Sequence, residues 1–410
     1  MRRGLRIIAL TLSVGWGAAC AKEPPGYEGP FKKQVRAAIP QLEEASGLRF
    51  LTLPVVQTRS RDEVRAYLEQ EFTAQLTPRE LAGTQTAYRL LGLLPDTLDL
   101  RAFLLELLTE QVAGYYDPRT KVLYVVDDAD ADMRDITITH ELMHALQDQH
   151  TDLMAIEALT GDNDRMVAMQ AVVEGQAVYE QLAVMTGGRD GEPRIPGGWG
   201  RVREMIRDGQ SAMPRFASAP MLLQETLLFP YLSGAEFIRR VKQVRPGVAP
   251  FTPFATSTEQ ILHPERYLDS LPDLPTTVTL GAPRTGTLLH EDNLGEFETR
   301  LLLFAHLQDE AAAVRGADGW DGDRYQVIET AAGPAFAWVT VWDSTAEATE
   351  FAALLRQAVA ARHGVAIASR QITIAARTIA GRPVVTYEDA PGAFGTRALI
   401  AREAVRLAGP

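Results

Sequence analysis

Between Ile138 and Leu146 the chain places His140, Glu141 and His144 among Ile138, Leu142, Met143, Ala145 and Leu146. A run of this kind favours a helix that is buried over most of its surface and keeps its polar groups on one side. At 3.6 residues per turn, His140 and His144 project from the same face, one turn apart. Two imidazoles at that spacing can hold one Zn²⁺, and Glu141 beside them can take a proton from a water. A chance H-E-x-x-H on a solvated helix is the alternative, and it has no need of apolar flanks.

With 410 residues, 46% of them hydrophobic, the chain can bury a large core and divides most simply into two domains. Its formal charge of −12 excludes nucleic acid as a partner, because phosphates demand a basic surface. Arg2, Arg3 and Arg6, followed by the apolar run Ile7–Ala19, form a targeting signal too short to span a bilayer as a permanent anchor. It ends Gly17-Ala18-Ala19-Cys20, which resembles the lipobox of bacterial lipoproteins, with Gly17 where leucine is usual. Cleavage after Ala21 is the rival and would discard the cysteine. Cys20 is the sole cysteine and sits where lipidation needs it, so lipidation is favoured. The expectation is an extracytoplasmic protein of the cell envelope, attached to the membrane by acyl chains on Cys20 and without disulfides.

Residues 20–30, rich in proline and glycine, read as a tether. A helix follows over Phe31–Ala45, then a strand over Leu51–Val56 that Pro54 confines to an edge. Ser60–Glu63 and Thr77–Glu80 are capping boxes that open helices, and Asp99–Val112 is a third, mostly apolar one. Two β-branched and aromatic runs flank Asp117-Pro118-Arg119-Thr120, which makes Gly114–Asp127 a hairpin. Asp162 or Asn163 caps a helix that runs to Met185 and stops at Gly187-Gly188. Residues 189–200 are a lid or a surface loop, and helices over Trp199–Asp208 and Pro220–Val244 come next. Leu271–Thr287 has no helical period and marks the boundary, so residues 286–410 form a small α+β unit: a helix (Leu294–Val314), two strands (Tyr325–Thr330, Ala335–Trp342), a helix (Thr345–His363) and two more strands (Gln371–Arg377, Pro383–Glu388). The fold class is α+β, mainly helical.

The motif helix fits the longer consensus of the zincin metallopeptidases. Together, Gly114–Asp127, Thr139–His150, Val172–Ala177 (VVEGQA), Ser257–Leu268 (STEQILHPERYL) and Gly319–Tyr325 (GWDGDRY) resemble a family of bacterial envelope proteins described by analogy as zinc peptidases. The resemblance implies a zincin-like domain over residues 31–285, with an active-site helix and a small sheet whose edge strand receives an extended peptide. In the gluzincin type the third zinc ligand is a glutamate on a later helix, often with a small residue three positions on. Glu174 with Ala177 fits, and Gly175 lets another helix approach; Glu180, Asp162 and Asp164 are the competing acids. The resemblance also implies a donor facing the developing oxyanion, for which His263, Tyr267 and Tyr231 are candidates. Some gluzincins supply a carboxylate four residues after the ligand glutamate to orient a zinc-bound histidine. Here that position is Val178, so the partner must come from elsewhere.

These readings converge on a lipid-anchored zinc peptidase acting on a peptide or protein substrate, with His140, His144 and Glu174 as ligands and Glu141 as general base. Two other classes stay open: a non-catalytic zincin-fold envelope lipoprotein that binds a partner, and a zinc hydrolase acting on a non-protein amide. His150, His290, His306 and His363 are read as non-ligands, and GWDGDRY as a turn without assigned chemistry.

Overall fold

Val122–Val126 (VLYVV), β-branched or aromatic at every position but Leu123, becomes the centre of a three-stranded sheet in the computed structural model. The structure describes residues 26–409 apart from 76, 129–130, 158, 188–192, 195–197, 212, 365–368 and 395–397. The targeting segment 1–19, Cys20 and part of the tether lie outside the described residues.

Strand β1 (Val55–Arg59) runs parallel to β3 (Val122–Val126), with Val55 opposite Val122, and β2 (Gly114–Asp117) runs antiparallel on its other side, with Tyr115 opposite Tyr124. β1 starts four residues later than the expected Leu51. The Leu51 and Thr52 amides are taken by the Gln149 side chain, at 2.6 and 3.0 Å, and so are not free for a ladder. Asp117 closes the hairpin turn, its carboxylate accepting from Arg119 N and Thr120 Oγ1. The helix Lys32–Ser46 and the motif helix (Ala131–Gln147) share one apolar cluster with the sheet through Val35, Leu42, Leu123, Leu142 and Leu146. Val64 of the helix Arg61–Gln75 packs with Val126 in a separate small cluster.

Two long helices, Asn163–Thr186 and Met221–Val244, carry the middle of the chain. They cross where Gly175 meets Gly234. A Cβ on Gly175 would lie 2.2 Å from the Gly234 carbonyl carbon, so only glycine permits this approach. The first of the two helices is not capped by Asp162 or Asn163. Asp292 and Asn293 take the Asn163 and Asp164 amides instead, at 2.9 and 2.8 Å. These acceptors lie about 130 positions away in sequence, beyond the reach of any local capping pattern.

A second sheet is antiparallel and five-stranded. After β4 (Thr277–Thr279) come β5 (Thr287–Asp292), β6 (Trp320–Thr330), β7 (Gly333–Trp342), β8 (Arg370–Ile379) and β9 (Arg382–Pro391), in the order β5-β6-β7-β9-β8. A short β10 (Arg406–Ala408) pairs with β4. Strand alternation sorts β7 cleanly: Phe336, Trp338 and Trp342 face the helices, while Ala335, Ala337, Val339 and Val341 face Leu399, Ile400 and Val405. The helix expected over Leu294–Val314 is two, Gly295–Leu307 and Glu310–Ala317. Gln308 turns left-handed and Asp309 caps the second through Ala312 N. One apolar core includes Ala87, Val172, Phe237, Leu302, Trp338 and Tyr387, and so crosses the expected boundary at 285–286. The fold is α+β and mainly helical. No helix among the described residues is long and apolar enough to cross a membrane.

Candidate metal centre

The uncharged flanks of the motif helix are its buried face. Ile138, Leu142, Met143 and Leu146 are fully enclosed, and this fixes which way His140, Glu141 and His144 point. The residues after them anchor the helix end. Asp148 accepts from the Tyr116 hydroxyl and from Lys121, Gln149 holds residues 51–52, and His150 Nε2 lies 2.7 Å from the Arg49 carbonyl.

Glu174, midway along its own helix, meets both histidines. His140 Nε2 lies 3.2 Å from Glu174 Oε2 and 3.2 Å from His144 Nε2, and the third separation, His144 Nε2 to Glu174 Oε2, is 3.4 Å. Ligand atoms about 2.0–2.1 Å from a tetrahedral ion stand roughly 3.3 Å apart, so these three donors have the spacing of three corners around Zn²⁺. Two nitrogens and one carboxylate oxygen also form a ligand set that zinc accepts. Burial alone would lower the His144 imidazole, but the Glu174 carboxylate outweighs it and lifts the ring to about 9. Glu174 in turn is pushed up by burial and held well below the usual carboxylate range by the His144 and His140 rings.

Glu141 is buried beside them, and its Oε2 accepts the backbone N–H of Tyr116 on β2 at 2.9 Å. Gly114 makes this possible, because a Cβ there would stand 2.7 Å from Thr137 Cγ2 on the motif helix. Strand β2 is a sheet edge, and it runs beside the proposed general base. Tyr231 stacks near His140, with ring centroids 6.0 Å apart. The Glu174 charge, then burial and Glu141, hold its hydroxyl well above the usual tyrosine value.

The other two oxyanion candidates are elsewhere. Tyr267 is a core residue, its hydroxyl donating to the Pro253 carbonyl at 2.8 Å. His263 Nε2 lies 3.0 Å from buried Glu296. Neither makes a hydrogen bond or ring contact with the histidine–glutamate cluster among the described residues. The competing acids are also engaged: Glu180 with Lys242 at 2.5 Å, Asp164 with Thr258, and Asp162 with Asn293. GWDGDRY is strand from Trp320 onward, with only Gly319 in the turn before it. Its Asp323 accepts the Leu294 and Gly295 amides at the start of a helix and the indole N–H groups of Trp320 and Trp338.

One residue that sequence reasoning missed is Gln147, fully buried, whose Oε1 lies 2.9 Å from His144 Nδ1. It gives His144 the polar neighbour that Val178 does not. A polar residue three positions after His144, on the same face of a buried helix, was the available signal. The Tyr116 amide on Glu141 left no such trace, since every residue but proline carries that group.

Residues 284–399 match the model of a family described as a domain of unknown function, DUF8575. The three donors and Glu141 all lie outside that span. A search of curated proteins and a search of solved structures each give no match.

Proposed function

We propose that this chain is a zinc-dependent peptidase of gluzincin type, exported to the cell envelope and attached there through Cys20. The observation that carries this reading is the convergence of His140, His144 and Glu174 at 3.2–3.4 Å from two separate helices, with Glu141 next to them. Zn²⁺ at those donors would polarise a carbonyl and bring the pKa of a water from near sixteen to about 7.

The chain's own residues do the rest. Glu141 takes the proton of the attacking water and passes it to the leaving amine, acting first as base and then as acid. Its Oε2 is occupied by the Tyr116 amide, which leaves Oε1 to carry that proton. Tyr231 keeps its hydroxyl proton, because the Glu174 charge suppresses ionisation, and is the donor best placed to face an oxyanion. An extended peptide adds along β2, the sheet edge beside Glu141.

Metal content and turnover test this together. Purified protein should carry about one zinc per chain. His140→Ala and His144→Ala should lose most of it, whereas Glu141→Gln should keep zinc and no longer cleave a mixed peptide library. A Glu141→Gln protein that cleaves normally would falsify the mechanism.

A further inference from the structure

A zinc-binding histidine works only if its metal-facing nitrogen is bare, which requires the proton to sit on the other one. At His144 the surroundings decide this. Gln147 Nε2 lies 2.9 Å from the Val173 carbonyl and 3.0 Å from Gln176 Oε1. A backbone carbonyl can only accept, so the Gln147 amide group must turn its NH₂ toward Val173. Its oxygen is then the atom facing His144 Nδ1 at 2.9 Å. An amide oxygen also only accepts, so Nδ1 carries a proton, and in the neutral ring that a metal requires, Nε2 is the bare nitrogen, facing His140 and Glu174.

Gln176 is held in the same sense. Its oxygen receives the second Gln147 N–H, so its own NH₂ is turned the other way. Glu180 is fully buried and takes Lys242 Nζ at 2.5 Å, and Lys242 also donates to the Ala45 carbonyl at 2.8 Å. The Gln147 and Gln176 amides each have one permitted orientation, and Gln147, Gln176 and Glu180 are all within 1% of full burial.

We infer that Gln147, locked by the Val173 carbonyl and by Gln176, is the positioning residue that fixes His144 in its metal-binding tautomer. This rests on the zinc-site reading above. Gln147 takes the place of the ligand-orienting carboxylate and does so without adding a buried charge to those of Glu174 and Glu141.

The test uses the full mature chain with zinc and cobalt(II) as probes. Wild type, Gln147→Met and Gln176→Met are compared by chelator competition for zinc, by the cobalt(II) absorption spectrum at saturation, and by urea unfolding of the metal-free protein. Gln147→Met should bind zinc about 10–100-fold more weakly and shift the cobalt spectrum, as loss of an outer partner does. Gln176→Met should move both in the same direction by less, and it carries the test alone if Gln147→Met does not fold. Zinc affinity within twofold of wild type in the folded variants would overturn the inference. So would a weakened affinity with an unchanged cobalt spectrum and a proportionate loss of metal-free stability, which describes a packing role only. If wild type itself binds no zinc, the zinc-site reading fails and the role of Gln147 falls with it; loss of zinc only in the Gln147 and Gln176 variants bears on Gln147 alone.

Discussion

Consider one added methyl group at Gly175, where the helices Asn163–Thr186 and Met221–Val244 cross. In Gly175→Ala the new Cβ would lie 2.2, 2.5 and 2.6 Å from the carbonyl carbon, oxygen and Cα of Gly234. Ordinary carbon contacts begin near 3.5 Å, so the helices must part by roughly 1.2 Å or more. Backbone atoms cannot swing aside as a side-chain tip can. Overpacking of this kind costs about 1–3 kcal/mol, and the gain in helix propensity, about 1 kcal/mol for Gly to Ala, offsets only part of it. Contact with backbone rather than a side-chain tip puts the cost toward the upper end, so a net loss of up to about 2 kcal/mol is expected in urea unfolding of the metal-free protein. The displacement also reaches the site, since Glu174 adjoins the crossing and Tyr231 stands three residues before Gly234. Zinc affinity should fall with stability. Gly209→Ala is the control: it is helical with nothing within 4 Å of the new Cβ, and should stabilise by about 0.5–1 kcal/mol. A Gly175→Ala protein as stable as wild type would show that the two helices are not held at this distance by the glycine pair.

Other substitutions separate site from scaffold. Glu174→Ala should abolish tight zinc binding, whereas Glu180→Ala should leave zinc far less affected. It should cost about 3 kcal/mol of stability by stranding Lys242, measured by denaturant unfolding with metal absent. Burial raises the Asp164 carboxyl from 3.8 to about 8 and Glu298 from 4.5 to about 8. Protonated forms are therefore favoured in the fold, so stability should be greatest near pH 4 and decline toward pH 8. Asp164→Asn, which keeps the acceptor for Thr258, should flatten that slope in urea titrations at several pH values; an unchanged slope would count against a protonated Asp164. Asp323→Ala strands two indole N–H groups and two helix-start amides, and should cost at least about 3 kcal/mol with a change in tryptophan emission. Unaltered emission and stability would refute the bracing role of Asp323.

Where the chemistry is local, the sequence was readable. His140, Glu141 and His144 lie within one turn, and their apolar neighbours declare the buried face. Glu174 could be chosen because a carboxylate among Ala171, Val172, Val173 and Ala177 needs a cationic partner. Legibility ended where contacts are long-range or made by backbone. Tyr116 N–H, Gly234 and the Asp292–Asn293 acceptors have nothing in their own neighbourhoods to show what they meet. Strand β5 (Thr287–Asp292) went unread for a related reason: Gly281, Pro283 and Gly286 just before it give the stretch a loop-like composition that hides a short period. His263 and Tyr267 are suited to donate to an oxyanion, but residue type does not say which partner the fold supplies.

The helix that bears Glu174 begins on acceptors from Asp292 and Asn293. Because a ribosome delivers the chain N-terminus first, all three donors emerge more than a hundred residues before those acceptors. For that interval the helix start has two amides without their final partners, and Gln147, Gln176 and Glu180 depend on a helix whose first turn is unfinished. The helix that carries Glu174 thus receives its final N-terminal acceptors only after the stretch shared with the DUF8575 family has begun to appear.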